Sequence, residues 1–105
     1  MNIAVTGSRG FIGGHLIPAL SQAGHQVQGL DHGDGPAEPT HRVVTGDILD
    51  PDKVLQALAG ADTVIHLAAE HKDYGLTKED YYRANQQGTR TVLECAGGAG
   101  VSQFI

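Results

Sequence analysis

Apolar positions along the chain follow two alternating patterns. Ile3, Ala4, Val5 and Thr6 form a short, nearly continuous run closed by Gly7, the pattern of a strand buried on both faces. Residues 11–23 then space apolar side chains as a helix does, with Ile12, Leu16, Ala19, Leu20 and Ala23 predicted on one face and Gly24 as the stop. A second strand is expected over 26–30, ending at Asp31, and a loop over 32–40, which holds Gly33, Gly35, Pro36 and Pro39. A third strand covers 42–46. Asp50 is placed to cap a helix with Pro51 at its first position and Val54, Leu55 and Leu58 on its apolar face, ending at Gly60. Residues 62–67 form the fourth strand and 70–77 a polar connection. A longer helix spans 78–96, turning Tyr81, Asn85, Gly88, Thr89, Val92, Leu93 and Ala96 to the core, and 101–105 begins a fifth strand. Strands alternating with helices predict an α/β fold with a parallel sheet, helices on both of its faces and right-handed crossovers. Pro18 fits badly inside the first helix and predicts a kink or an irregular turn there.

Composition narrows the function. The 105 residues make one small domain or half of a larger one, and 40 % apolar content is enough for a modest core. Twelve acids against seven lysines and arginines give a net charge of −5 with no basic cluster, which argues against nucleic acid and against an anionic membrane as partners. Cys95 stands alone, so no intrachain disulfide forms, and neither it nor the six scattered histidines has a metal-binding spacing. No apolar run is long enough to span a bilayer, and residues 1–3 do not open a secretory signal. A cytoplasmic protein is expected. The 15 glycines amount to about twice average usage and sit where one element hands over to the next.

The strongest chemical signal is the stretch from Thr6 through Gly7, Ser8, Arg9, Gly10, Phe11 and Ile12 to Gly13, lying between the first strand and the first helix. Gly7 permits a tight turn, Gly10 lets a pyrophosphate approach the backbone, and Gly13 lets the helix pack close to the sheet. The helix N-terminus then offers free N–H groups and partial positive charge to phosphates. Tight packing alone is the competing explanation. Asp31 follows at close to the roughly 20-residue spacing of the acid that binds a ribose 2′-hydroxyl. A carboxylate there repels a 2′-phosphate and favours NAD over NADP, unless it is merely a solvated loop acid. Arg9 pulls the other way, since a cation in the turn reaches toward such a phosphate.

These residues resemble the cofactor turn of the extended short-chain dehydrogenase/reductases, of the NAD-dependent epimerase/dehydratase type that acts on nucleotide sugars. Three further stretches match in order. Gly46, Asp47 and Ile48 resemble the segment where an acid and its neighbour meet the adenine. His66, Leu67, Ala68 and Ala69 resemble the end of the fourth strand bordering the cofactor. Asn85, Gly88 and Thr89 resemble the next helix, whose asparagine steadies the central strands. The resemblance implies a Rossmann-like parallel sheet that binds NAD through Gly7, Ser8, Arg9, Gly10, Phe11, Ile12, Gly13, Asp31, Asp47, Ile48, Leu67, Ala68, Ala69 and Asn85. Read without it, Asp47 begins a turn, His66 is a satisfied core histidine and Asn85 is a buried polar group needing partners. Glu70, His71 and Lys72 either line a sugar site or belong to a solvated loop.

In this family hydride transfer uses a Ser or Thr and a Tyr-x-x-x-Lys pair beyond the fifth strand. Tyr74 and Lys78 have that spacing but precede the fifth strand, so the match is read as chance and no catalytic residue is assigned. The expectation is a half-domain over 1–105, truncated at its fifth strand and inactive alone, with a nucleotide sugar as partner only in a longer chain. The uncovered sheet edge and helix face predict self-association. The alternatives are a non-catalytic dinucleotide-binding or redox-sensing module and an NADPH-dependent carbonyl reductase of the same fold.

Overall fold

The computed structural model describes residues 1–33, 41–68 and 77–105. Among them are five strands, β1 (Asn2–Thr6), β2 (Gln26–Asp31), β3 (Arg42–Thr45), β4 (Thr63–His66) and β5 (Gln103–Phe104), and three helices, α1 (Phe11–Gln22) after β1, α2 (Pro51–Leu58) after β3 and α3 (Lys78–Gly98) after β4. The strands form one sheet in the order β3-β2-β1-β4-β5, and every pairing is parallel. Chain direction reverses its lateral progress beside β1, where the sheet grows first toward β3 and then toward β5. The carboxyl edge next to β1 is therefore the switch point at which open α/β sheets leave a crevice.

Alternation along β1 divides the core into two layers. Ile3 and Val5 pack with Ile17 of α1, with Leu20, Val27, Ile65 and Leu67 around them. Ala4, Leu30, Val44 and Val64 point to the opposite face and meet Val54, Ala57 and Leu58 of α2 and Val92, Cys95 and Ala96 of α3. Both faces of the sheet thus carry helices, as the strand–helix alternation predicts. Gln28 reaches across from β2 to donate to the carbonyls of Ala57 and Ala59, satisfying the end of α2.

The predicted face of α1 is rotated, and one residue on each of the other two predicted faces is exposed, while Val54 and Leu58 of α2 and Gly88, Val92 and Ala96 of α3 are buried as expected. On α1 the buried residues are Gly13 and Ile17, whereas Ile12 is 61 % exposed. The glycine at 13 lets the helix lie so close to the turn that its own position, not Ile12, becomes the contact line. On α2, Ala57 is buried and Leu55 is exposed; on α3, Cys95 is buried and Leu93 is exposed. In both helices a small side chain faces the neighbouring helix, because α2 and α3 pack on each other as well as on the sheet. The helix α1 runs unbroken through Pro18. Pro18 and Gly14, whose carbonyl lacks the usual donor, are both on the exposed side of the helix. The fifth strand is shorter than expected, covering Gln103 and Phe104 only.

Candidate functional site

The turn after β1 is sewn to the end of β2. The N–H of Gly7 donates to the Leu30 carbonyl at 2.8 Å, and the N–H of Gly10 to the Gly7 carbonyl at 3.0 Å. Gly7 has φ +70°, and a Cβ there would stand 2.8 Å from the backbone nitrogen of Ala68. A side chain is excluded twice, by conformation and by the end of β4. A Cβ on Gly13 would lie 2.6 Å from the Ser8 carbonyl oxygen and 2.8 Å from that of Gly7. The three glycines thus bring the start of α1 against the carboxyl edge of the sheet.

The N-terminus of α1 is left open. Its first helical bond runs from the Gly14 N–H to the Gly10 carbonyl, no side chain caps Gly10, and the first turn carries no acid. The other two helices are closed: Asp50 accepts from the Asp52 N–H on α2, and Thr77 and Asp80 form a capping box on α3. An uncapped helix start with no acid in its first turn offers its N–H groups and dipole to an anion. Phe11 and Ile12 are exposed on this first turn, Phe11 with its ring against His15.

Asp31 is held at the end of β2. One carboxylate oxygen accepts from the Arg9 N–H at 2.9 Å and the other from the Gly33 N–H at 2.8 Å. The Arg9 guanidinium donates through Nη1 to the Gly33 carbonyl, bracing the same corner. Each carboxylate oxygen keeps a second lone pair for a hydroxyl. Ser8 is buried, and its Oγ has no partner; Arg9 Nε and both ring nitrogens of His41 are also unpartnered. Burial, and then the Arg9 guanidinium, lower the His41 pKa and keep that ring neutral.

A second network underlies the strand ends. Thr6 Oγ1 accepts from the N–H groups of Leu67 (3.1 Å) and Ala68 (3.2 Å) and lies 2.7 Å from Nδ1 of His66. Both hydroxyl lone pairs are thereby used, so its proton goes to Nδ1, and the His66 Nε2–H donates to Thr89 on α3 at 3.1 Å. Burial lowers the His66 pKa, consistent with that neutral tautomer. His66 is therefore a satisfied core histidine that ties β1, β4 and α3 together. Thr6 was visible in the sequence only as the polar end of an apolar strand; its role depends on strands that are remote in the chain.

Of the residues predicted from sequence, Gly7, Ser8, Arg9, Gly10, Phe11, Ile12, Gly13, Asp31, Leu67 and Ala68 lie at the carboxyl edge of the sheet or in the turn and first helical turn that follow β1. Asp47 and Ile48 flank it beyond β3, where the Gly46 N–H donates to the Asp31 carbonyl at 3.0 Å. Asp47 also begins a turn, accepting from the Leu49 N–H at 2.9 Å. Asn85 is half-buried on α3, one turn before Thr89. Ala69, Glu70, His71, Lys72 and Tyr74 lie outside the described residues. No cluster able to hold a metal ion is present among the described residues, and no helix among them is long and apolar enough to cross a membrane.

Sheet order, crevice and glycine turn together define a Rossmann-like domain. The chain belongs to the NAD dependent epimerase/dehydratase family, whose profile matches residues 3–105. Among curated proteins it is 34 % identical to a 3-beta-hydroxysteroid dehydrogenase of Mycolicibacterium neoaurum, over 98 % of this chain and 30 % of that protein. It is 38 % identical to an undecaprenol-linked N-acetylglucosaminyl 4-epimerase of Escherichia coli O157:H7, over 99 % of this chain and 31 % of the relative. Among solved structures, a short-chain dehydrogenase/reductase superfamily protein from Agrobacterium tumefaciens with bound NAD superposes with a TM-score of 0.85 at 32 % identity, covering 99 % of this chain and 31 % of that one. A dTDP-glucose 4,6-dehydratase from Streptomyces venezuelae, also with NAD bound, gives 0.81 at 34 % identity, covering 99 % and 38 %. The chain thus spans about a third of the length of the proteins it matches.

Proposed function

We propose that this chain is the NAD-binding portion of an epimerase/dehydratase-family oxidoreductase whose substrate, in a longer protein, is a nucleotide sugar. The observation that carries the reading is the uncapped start of α1, set over the glycine turn and beside a carboxylate held by two backbone N–H groups. The pyrophosphate would rest on the N–H groups of the first turn of α1. Asp31 would accept from the adenosine ribose hydroxyls, Asp47 and Ile48 would border the adenine, and the backbone of Leu67 and Ala68 would border the far end of the cofactor, with Asn85 behind it. Bound NAD supplies a hydride acceptor. The residues on this chain bind, orient and shield it.

NAD is favoured over NADP because Asp31 stands where a 2′-phosphate would arrive and the Arg9 guanidinium is already engaged with Gly33. The nucleotide-sugar substrate is supported by solved relatives that hold NAD with UDP-glucuronic acid or UDP-glucose. A hydroxysteroid is the second reading, favoured by the identity to the mycobacterial-type dehydrogenase. Turnover of a UDP- or dTDP-sugar against a 3β-hydroxysteroid by the full-length protein separates the two. Titration with NAD tests the cofactor reading: saturable binding, weaker for NADP, is expected, and no saturation with the fold intact overturns it. Self-association completes the proposal, supported by Tyr82 and Leu93 exposed on α3; sedimentation at rising concentration checks it.

A further inference from the structure

The turn over residues 46–49 is held at three places. The Gly46 N–H donates to the Asp31 carbonyl, and the Asp47 carbonyl accepts from the Asp50 N–H at 3.0 Å, joining the turn to the cap of α2. The third restraint is packing. The Ile48 side chain enters a notch in α3 where residue 88 has none: a Cβ on Gly88 would stand 2.2 Å from Ile48 Cδ1 and 2.8 Å from Cγ1. Gly88 is buried in the middle of a 21-residue helix. A glycine there costs roughly 1 kcal/mol of helix propensity relative to alanine. The notch is what that glycine provides, and Ile48 packs through it against the core formed by α2 and α3.

We propose that Gly88 is a positioning residue for cofactor binding: its notch seats Ile48 and so sets the distance of the Asp47–Ile48 turn from the crevice. This rests on the reading above, in which that turn borders the adenine. Gly88 is buried on α3, and the side chain facing its Cβ position is Ile48. It acts on the adenosine end of the dinucleotide through one side chain, linking α3 to a turn on the far side of β2.

The test uses the full-length protein, with NAD and ADP as probes and urea denaturation as the measure of folding. Gly88→Ala pushes Ile48 outward and is expected to weaken NAD and ADP alike by about tenfold, the size of a typical contact coupling. Ile48→Val, which removes Cδ1, is expected to restore about threefold or more of that loss when combined with Gly88→Ala. Ile48→Ala empties the notch in a chain that keeps Gly88; because Ile48 also borders the adenine in the reading above, its expected loss of both ligands counts only where it exceeds that of Ile48→Val in the same chain, and that difference covers the case in which Gly88→Ala does not fold. A merely structural glycine would move the urea midpoint without moving either dissociation constant. Wild-type protein that binds both probes, with Ile48→Ala and folded Gly88→Ala binding within twofold of it, overturns this proposal alone. Wild-type protein that binds neither overturns the NAD reading and this proposal with it.

Discussion

Gly13 and Gly14 are neighbours on α1, and the same substitution should move stability in opposite directions at the two sites. A methyl group at 13 would meet the Ser8 carbonyl oxygen at 2.6 Å, the Gly7 carbonyl oxygen at 2.8 Å and the Ser8 carbonyl carbon at 2.9 Å. All three are backbone atoms of a turn fixed by the bond from Gly7 to Leu30. No rotamer change relieves them; either the helix or the turn must shift. Overpacking costs about 1–3 kcal/mol, and the unyielding neighbours place Gly13→Ala at the upper end. The gain in helix propensity returns about 1 kcal/mol, leaving a net loss of about 2 kcal/mol. At Gly14 nothing lies within 4 Å of the added carbon, so only the propensity gain remains, up to about 1 kcal/mol. The two variants should therefore differ by about 3 kcal/mol, more than ten degrees in melting temperature for a chain of this size. Urea denaturation at constant slope measures the difference directly. Gly13→Ala as stable as wild type, or both variants shifting together, would refute the claim that backbone contact at residue 13 sets how close α1 lies to the sheet.

Asp31→Asn keeps the shape of the side chain but removes its charge and one acceptor oxygen. Titration should show NAD binding about tenfold weaker or more, the range of a lost charged hydrogen bond, while NADP binding is unchanged or improved; equal losses for both would remove Asp31 from the ribose site. His66 gives a pH dependence with a definite sign. Burial lowers its pKa from 6.5 in the fold, whereas the unfolded chain takes up the proton at the ordinary value. Its contribution is therefore fully present above pH 6.5 and is lost as the pH falls from there toward the depressed folded value. Urea midpoints measured from pH 8 to 5 should fall more steeply for wild type than for His66→Gln. His41 is shifted in the same direction and titrates in both proteins, so it drops out of the comparison.

Much of the architecture was legible because it rests on local rules. The order of strands and helices, the Asp50 cap with Pro51 after it, and the glycine stops follow from spacing and backbone freedom within a few residues. The glycine turn was legible for the same reason, since close approach of a strand end and a helix start needs glycines at fixed separations, as was the place of Asp31 at the end of the second strand. Helix faces were less legible. Periodicity assigned Ile12, Leu55 and Leu93 to the core because they are large and apolar, yet they are exposed and the smaller Gly13, Ala57 and Cys95 are buried. Hydrophobicity ranks side chains by what burial gains; close approach of two backbones selects instead for what is small.

By itself, then, the chain's sequence determined a parallel α/β sheet with helices on both faces and a glycine turn after the first strand. Only the tertiary structure decided which groups share a partner. Thr6 has to meet the backbone of Leu67 and Ala68, His66 has to reach Thr89, and Ile48 has to find the gap at Gly88. Each of these pairs joins residues from different elements, so no local pattern encodes them. They arise when the strand order β3-β2-β1-β4-β5 brings remote segments to one edge of the sheet.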